Sequence, residues 1–160
     1  MIDFERLLSA LIEGKVEFVI VGGVAATLHG SARLTSDLDI VYARSKENIR
    51  RIVVALGPLT PYLRGVPKGL PFHLDAETVR TGLNFTLTTE AGPLDLLSEI
   101  AGGFDYDVLR KRSVVVELFG RRCRVIDLHA LIESKMAAGR PKDLEVIAEL
   151  ETIREETENR

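Results

Sequence analysis

The stretch from Phe18 to Val41, which reads FVIVGGVAATLHGSARLTSDLDIV, constrains the fold of this chain more than any other. Its apolar, β-branched start predicts a buried strand that ends abruptly at Gly22-Gly23. Small residues up to Gly30 predict a short helix, and the apolar run that follows predicts a second strand. This second strand carries Asp37 and Asp39, which share one face because side chains alternate along a strand. The stretch therefore combines a glycine turn with paired carboxylates.

Composition predicts a soluble, cytoplasmic protein of one domain. The 160 residues suffice for a real core, and 46% apolar with 28% charged residues argues against disorder. The single cysteine, Cys123, cannot form an internal disulfide, which fits a reducing compartment. We recognise neither a signal-peptide pattern nor an apolar run of about 20 residues that could span a membrane. A net charge of −3 is less basic than expected for tight nucleic-acid binding, although local basic clusters could hold a nucleotide or an RNA end.

The remaining patterns predict alternating helices and strands, and hence an α/β (α+β) domain. Apolar periodicity predicts an amphipathic helix from Phe4, capped by Asp3, and another after the N-cap Ser45. The Pro- and Gly-rich stretch from Gly57 to Pro71 is predicted to be a loop. Further elements are predicted as follows: a short helix over 75–80, strands over 83–88 and 94–97, a helix over 105–111, a hairpin of 113–118 with 122–126, a helix from Asp127 to about Ala138, and a last helix from Pro141. In the first of these strands, Leu83, Phe85 and Leu87 are expected on one face.

The glycine pair has two interpretations. Gly22-Gly23 can be only a tight turn, and GGVAATLHG is not the G-x-G-x-x-G of a dinucleotide fold. Alternatively, the N–H groups at the start of the following helix can bind an anion, and the missing Cβ atoms let a phosphate approach.

The carboxylates give the stronger signal. Asp37 and Asp39 repel each other unless a cation lies between them, and Mg²⁺ accepts few protein carboxylates together with phosphate oxygens. The alternative is a solvated strand end, where aspartates only limit sheet growth. Asp95 lies between two leucines on a later strand, where an acid is costly unless it is paired or bound. If that strand neighbours the first, the three carboxylates converge and could hold two metal ions. This interpretation fails if Asp95 points into the core or is paired with an arginine.

Basic residues supply candidate partners for phosphate. Lys135 falls on the buried stripe of its helix and needs an anion, which could be a triphosphate or a carboxylate such as Asp143. Arg140 and Lys142 lie at a helix junction, where a solvated basic turn is the alternative. Arg33 and Thr35 could direct phosphate or order the loop before Asp37.

The combination of Gly22-Gly23, a small helix, Asp37-x-Asp39 and a later Asp95 resembles the nucleotidyltransferase (DNA polymerase β-like) superfamily. The fuller string GGxAxxxHGxxRxTxDLDI is similar to the AbiEii-type bacterial nucleotidyltransferase toxins and their relatives. Those proteins also carry a Lys and then Arg-x-Lys-Asp, to which Lys135 and the segment 140–143 correspond. The resemblance implies a nucleotidyltransferase fold over residues 1–160, with a short mixed sheet flanked by helices in a core of about 1–98 and a hairpin and two helices in 99–160.

The resemblance also implies metal-dependent transfer of a nucleoside monophosphate from an NTP to an acceptor hydroxyl of RNA, tRNA or protein. Mg²⁺ (or Mn²⁺) would be the cofactor, and a toxin–antitoxin system with a cognate antitoxin would be the setting. The implied metal ligands are Asp37, Asp39 and Asp95, with Asp95 also as general base. The implied nucleotide-binding residues are Gly22, Gly23, Arg33, Thr35, Lys135 and Arg140.

Two alternatives remain. A catalytically silent module could keep this fold and bind a nucleotide or a partner, although the presence of all three aspartates argues against it. A small-molecule (antibiotic) nucleotidyltransferase is the other alternative, and the short chain argues against it, because such enzymes usually build the acceptor pocket from a larger second domain.

Overall fold

The protein is described as a computed structural model that covers residues 2–160. Its helices are α1 (Phe4–Glu13), α2 (Gly22–Leu28), α3 (Lys46–Leu56), α4 (Ala76–Thr81), α5 (Tyr106–Lys111), α6 (Leu128–Ala138) and α7 (Pro141–Glu158). Its strands are β1 (Phe18–Val21), β2 (Leu38–Tyr42), β3 (Tyr62–Leu63), β4 (Phe85–Thr89), β5 (Gly92–Leu97), β6 (Glu99–Ile100), β7 (Phe104–Asp105), β8 (Ser113–Leu118) and β9 (Arg121–Ile126).

Seven strands form one mixed sheet in the order β3-β4-β5-β2-β1-β9-β8. β1 is antiparallel to β2 and parallel to β9, whereas β2 is parallel to β5. All four residues of β1 are buried, as expected for a strand covered on both faces. Helices flank this sheet, and the mixed α/β class predicted from the sequence is confirmed.

Three of the predicted helix caps are present. The Asp3 carboxylate accepts a hydrogen bond from the Arg6 N–H at 3.1 Å, and the Ser45 hydroxyl accepts one from Asn48 at 3.1 Å. Asp127 caps α6 through the Ala130 N–H at 2.7 Å. Each cap satisfies a backbone donor that would otherwise lack a partner at the helix start.

The Pro- and Gly-rich stretch is more ordered than the sequence predicted. Gly57–Leu59 forms a 3-10 turn, and β3 adds a two-residue strand to the sheet edge beside β4. Strand propensity could not predict β3, because it is only two residues long and its neighbours in the stretch are rich in proline and glycine.

Two smaller predictions about strands were wrong. Leu83 precedes β4 and is 58% exposed, whereas Phe85 and Leu87 are buried as expected. The alternation therefore begins only where the chain enters the sheet. Arg121 belongs to β9, so the hairpin turn is one residue shorter than expected.

The C-terminal hairpin of β8 and β9 joins the seven-stranded sheet, whereas β6 and β7 pair in a small sheet of their own. β9 extends the sheet beside β1, and α6 and α7 pack on each other with α6 also contacting α2. This arrangement brings the junction of the last two helices towards the glycine turn. Within residues 2–160, every helix is too short or too polar to cross a membrane.

Candidate active site

The three aspartates converge at the centre of the sheet. β2 and β5 are parallel neighbours, and their register places Asp39 directly opposite Asp95. Asp37 stands one residue before β2, on the same side as Asp39 because the strand alternates. One carboxylate oxygen from each residue lies within 4.8 Å of those of the other two. The structure thus brings together the three aspartates that the sequence indicated as candidate metal ligands.

The electrostatics of this acidic cluster favour a bound cation. Burial, followed by the charges of Asp37 and Asp95, raises the pKa of Asp39 to about 7, whereas Lys135 acts to lower it. Within the described residues, the buried Oδ1 of Asp39 has no hydrogen-bond partner. An unpartnered buried oxygen among three clustered carboxylates fits a divalent cation, which prefers oxygen ligands.

Arg64 also enters the cluster, and sequence reasoning missed it. Its Nη2 donates to Asp95 Oδ1 at 2.8 Å, and its Nη1 lies 3.7 Å from Asp37 Oδ2. The residue follows the short strand β3 in the stretch expected to be a loop. The only available signal was indirect: three clustered acids need a positive partner.

The pairing of Asp95 with an arginine is one of the two conditions under which the two-metal interpretation was expected to fail. The three carboxylates still meet closely enough to share one ion. A second ion would have to coexist with a guanidinium already bound to Asp95. Binding of two metal ions therefore remains a prediction that the geometry does not favour.

The glycine turn is tightly packed against the acidic cluster. Gly22 has φ = +68°, and a Cβ there would collide with the Asp39 side chain. A Cβ on Gly23 would lie 2.7 Å from Thr35 Oγ1, and that hydroxyl donates to the Asp37 carbonyl at 3.2 Å. The glycines are thus required by the close approach of Asp39 and Thr35, whether or not a phosphate binds there.

Arg33 faces α7 in this structure. Its guanidinium lies 3.7 Å from Glu149 Oε1 and 3.9 Å from Glu145 Oε2. Glu149 also accepts hydrogen bonds from the Ser31 hydroxyl at 2.6 Å and from the Ala32 N–H at 3.1 Å. The glutamate therefore fixes the loop that leads to Asp37, and sequence spacing could not reveal a contact across 118 residues.

Lys135 and Arg140 share one buried carboxylate. Lys135 Nζ lies 3.5 Å from Asp143 Oδ1, and Arg140 Nε donates to Asp143 Oδ2 at 2.7 Å. These contacts lower the pKa of Asp143, first through the Arg140 hydrogen bond. The sequence left open whether Lys135 faces a triphosphate or the Asp143 carboxylate, and in the structure it contacts the carboxylate. Lys135 nevertheless remains close enough to Asp39 to act on its pKa.

A cleft of about 660 Å³ joins these groups. The acidic cluster, the glycine turn and the basic junction of α6 and α7 all line it. Apolar residues complete its lining: Val21, Ala26, Leu34, Leu97, Ile100, Ala101, Leu131, Ala138 and Val146. A cleft of this size that holds both acidic and basic groups can admit a nucleotide-sized anion.

Solved structures resemble the whole chain. A proposed nucleotidyltransferase of Thermotoga maritima aligns at 17% identity with a TM-score of 0.56, covering 100% of this chain and 97% of its own. The chain has the nucleotidyltransferase fold. The lincosamide antibiotic adenylyltransferase LnuA, with lincomycin bound, aligns at 16% identity and TM-score 0.60, covering 95% of this chain and 98% of its own. ANT(2″)-Ia, in complex with adenylyl-2″-tobramycin, aligns at 16% identity and TM-score 0.55, covering 98% and 95%.

Comparisons with protein-family models and with curated proteins find no match. The structural alignment corrects one expectation drawn from chain length. LnuA is an antibiotic adenylyltransferase, and almost all of its chain is covered by this one. A larger second domain is therefore not a general requirement for a small-molecule acceptor in the nucleotidyltransferase fold.

Proposed function

We propose that this protein is a metal-dependent nucleotidyltransferase that moves a nucleoside monophosphate from an NTP to an acceptor hydroxyl. The main support for this proposal is that carboxylate oxygens of Asp37, Asp39 and Asp95 lie within 4.8 Å of one another. They do so in a cleft of the nucleotidyltransferase fold. In this reaction the acceptor oxygen bonds to the α-phosphorus, and pyrophosphate leaves.

The aspartates would hold Mg²⁺ or Mn²⁺, which supplies Lewis-acid polarisation of phosphate oxygens when bound. Asp95, the half-buried acid on β5, would accept the proton of the acceptor hydroxyl. Lys135 and Arg140 provide positive charge in the same cleft, where it would offset that of a bound triphosphate. Both are tethered to Asp143, so that their charge is held in place before the substrate arrives.

The glycine turn and the adjoining loop would bound the phosphate site. Gly22 and Gly23 line the cleft at the start of α2, and the Thr35 hydroxyl orders the segment before Asp37 by donating to the Asp37 carbonyl. Arg33 lines the same cleft but pairs with Glu145 and Glu149. Its guanidinium would have to exchange these glutamates for phosphate oxygens.

For the acceptor, the similarity to AbiEii-type proteins supports tRNA or a protein in the cytoplasm, with a cognate antitoxin as regulator. A small-molecule hydroxyl is the second candidate, because the chain spans nearly all of LnuA. The apolar part of the cleft lining would suit a compact organic acceptor.

The deciding experiment supplies each α-labelled NTP with Mg²⁺ or Mn²⁺ and one acceptor at a time. The acceptors are total tRNA, a cell-protein fraction, a lincosamide and an aminoglycoside. The wild type is compared with Asp37→Asn/Asp39→Asn and with the matched control Asp107→Asn, which changes an exposed aspartate of α5.

We expect labelling by the wild type and the control but not by the double variant, and the labelled acceptor identifies the substrate class. Equal labelling by the wild type and the double variant would refute the roles of the aspartates. NTP binding without transfer to any acceptor would instead identify the silent binding module.

A further inference from the structure

We propose that Arg64 is a built-in counter-ion that competes with a divalent metal ion for Asp95, so that metal loading and the Arg64–Asp95 ion pair exclude each other. The inference rests on the proposed metal site but not on nucleotidyl transfer itself. It assigns a regulatory role to a residue of the segment between α3 and α4.

The contacts of Arg64 place its charge inside the acidic cluster. Nη2 lies 2.8 Å from Asp95 Oδ1, and Nη1 lies 3.7 Å from Asp37 Oδ2. The guanidinium therefore already neutralises part of the charge that a cation would neutralise. A divalent ion shared by the same carboxylates would lie close to this guanidinium and would be repelled by it.

The anchorage of Arg64 is incomplete, which makes its release feasible. Nη2 also donates to the Leu87 carbonyl at 2.6 Å, but the buried Nε has no partner among the described residues. Release into solvent would let Nε bind water, and this gain offsets part of the cost of breaking the hydrogen bonds of Nη2.

The backbone around Arg64 is also lightly held. β3 pairs with β4 through only two residues, Tyr62 with Thr88 and Leu63 with Leu87. The Arg64 N–H donates to the Thr86 carbonyl at 2.9 Å, immediately beyond this short ladder. Two-residue edge strands contribute little cooperative pairing, so withdrawal of the side chain should loosen this edge.

The direct test measures Mn²⁺ binding to the metal-free protein by the loss of the free-ion EPR signal, near pH 8 and without nucleotide. Arg64→Gln removes the competing charge and keeps a polar side chain. Arg80→Gln is the matched control, because it removes a positive charge from an exposed residue of α4.

We expect Arg64→Gln to bind Mn²⁺ about tenfold more tightly than the wild type, the ratio given by one ion pair of about 1.4 kcal/mol. Arg80→Gln should bind as the wild type does. Unchanged or weaker binding by Arg64→Gln would overturn the proposal, since a merely supporting arginine would hold Asp95 ready for the ion. Absence of Mn²⁺ binding in both proteins would overturn it as well.

A second measurement uses the wild type, in case Arg64→Gln does not fold. Hydrogen exchange of the Arg64 amide, which donates to the Thr86 carbonyl, is followed with and without saturating Mg²⁺. Competition predicts faster exchange at this amide with Mg²⁺, and unchanged or slower exchange would contradict it. Both measurements omit the acceptor and the NTP, so a failure of nucleotidyl transfer would leave their outcome intact.

Discussion

Replacement of Asp39 by asparagine should stabilise the metal-free protein. Asp39 is half-buried on β2, and its charge faces those of Asp37 and Asp95. Burial and these neighbouring charges raise its pKa from 3.8 to about 7, so the ionised form is disfavoured in the folded state. Asparagine has nearly the same shape without the charge, and the substitution therefore removes the cost of holding a third carboxylate in the cluster.

The size of this effect follows from the pKa difference. A rise from 3.8 to about 7 spans roughly three units, which correspond to about 4 kcal/mol in the limit of no relaxation. Because Asp39 retains contact with solvent and its neighbours can move, we expect a measured gain of about 2 kcal/mol in the free energy of unfolding.

The gain must depend on pH with a defined sign. Between about pH 4 and pH 7 the folded protein holds a proton on Asp39 that the unfolded chain releases, so wild-type stability falls as the pH rises through this window. The advantage of Asp39→Asn should therefore be small near pH 4, grow up to about pH 7 and then remain constant.

The assay is urea denaturation with EDTA at several pH values, for the wild type, Asp39→Asn and the exposed control Asp107→Asn. Saturating Mg²⁺ should reverse the order, because only the wild type retains the full set of carboxylate ligands. The reasoning would be refuted if Asp39→Asn were less stable than the wild type near pH 8 without metal. A difference that does not shrink on acidification would refute it equally.

Three further substitutions test other contacts of the site. Gly22→Ala introduces a Cβ against Asp39 at a positive φ and should cost about 1–2 kcal/mol in thermal or urea unfolding; an unchanged melting temperature would contradict the close approach. Asp143→Ala leaves Lys135 and the exposed Arg140 without their shared carboxylate and should cost about 1–2 kcal/mol in urea denaturation; a change within the experimental error would contradict it. Asp127→Ala removes the N-cap of α6 and should cost about 1 kcal/mol by the same measurement; a stability equal to that of wild type would show that the cap contributes nothing.

The parts of the fold that the sequence predicted are those that depend on local periodicity. The apolar spacing in α1 and α3 and the polar residues at their N-caps identified both helices. Alternation along β2 was enough to place Asp37 and Asp39 on one side of the strand. The convergence with Asp95 required one further assumption, that β2 and β5 are neighbours, and the register between them satisfies it.

The features that the sequence did not predict are contacts between distant segments. Arg64 reaches Asp95 from a stretch whose prolines and glycines give no periodic signal. Glu149 lies on a mostly polar helix, and its function in holding Ser31 and Ala32 depends on how α7 packs. Lys135 was correctly placed facing inwards, but its spacing could not distinguish a phosphate from the Asp143 carboxylate.

The parallel pairing of β9 with β1 has a consequence for attempts to shorten the chain. A fragment of residues 1–98 would contain the glycine turn and all three aspartates, yet β1 would become an edge of its sheet. That edge is the apolar sequence FVIV, whose residues are all buried in the whole protein. Unpaired N–H and C=O groups on an apolar edge recruit strands from other chains. The C-terminal hairpin therefore prevents self-association by covering this edge. The fragment should aggregate, although it contains all three aspartates of the acidic cluster.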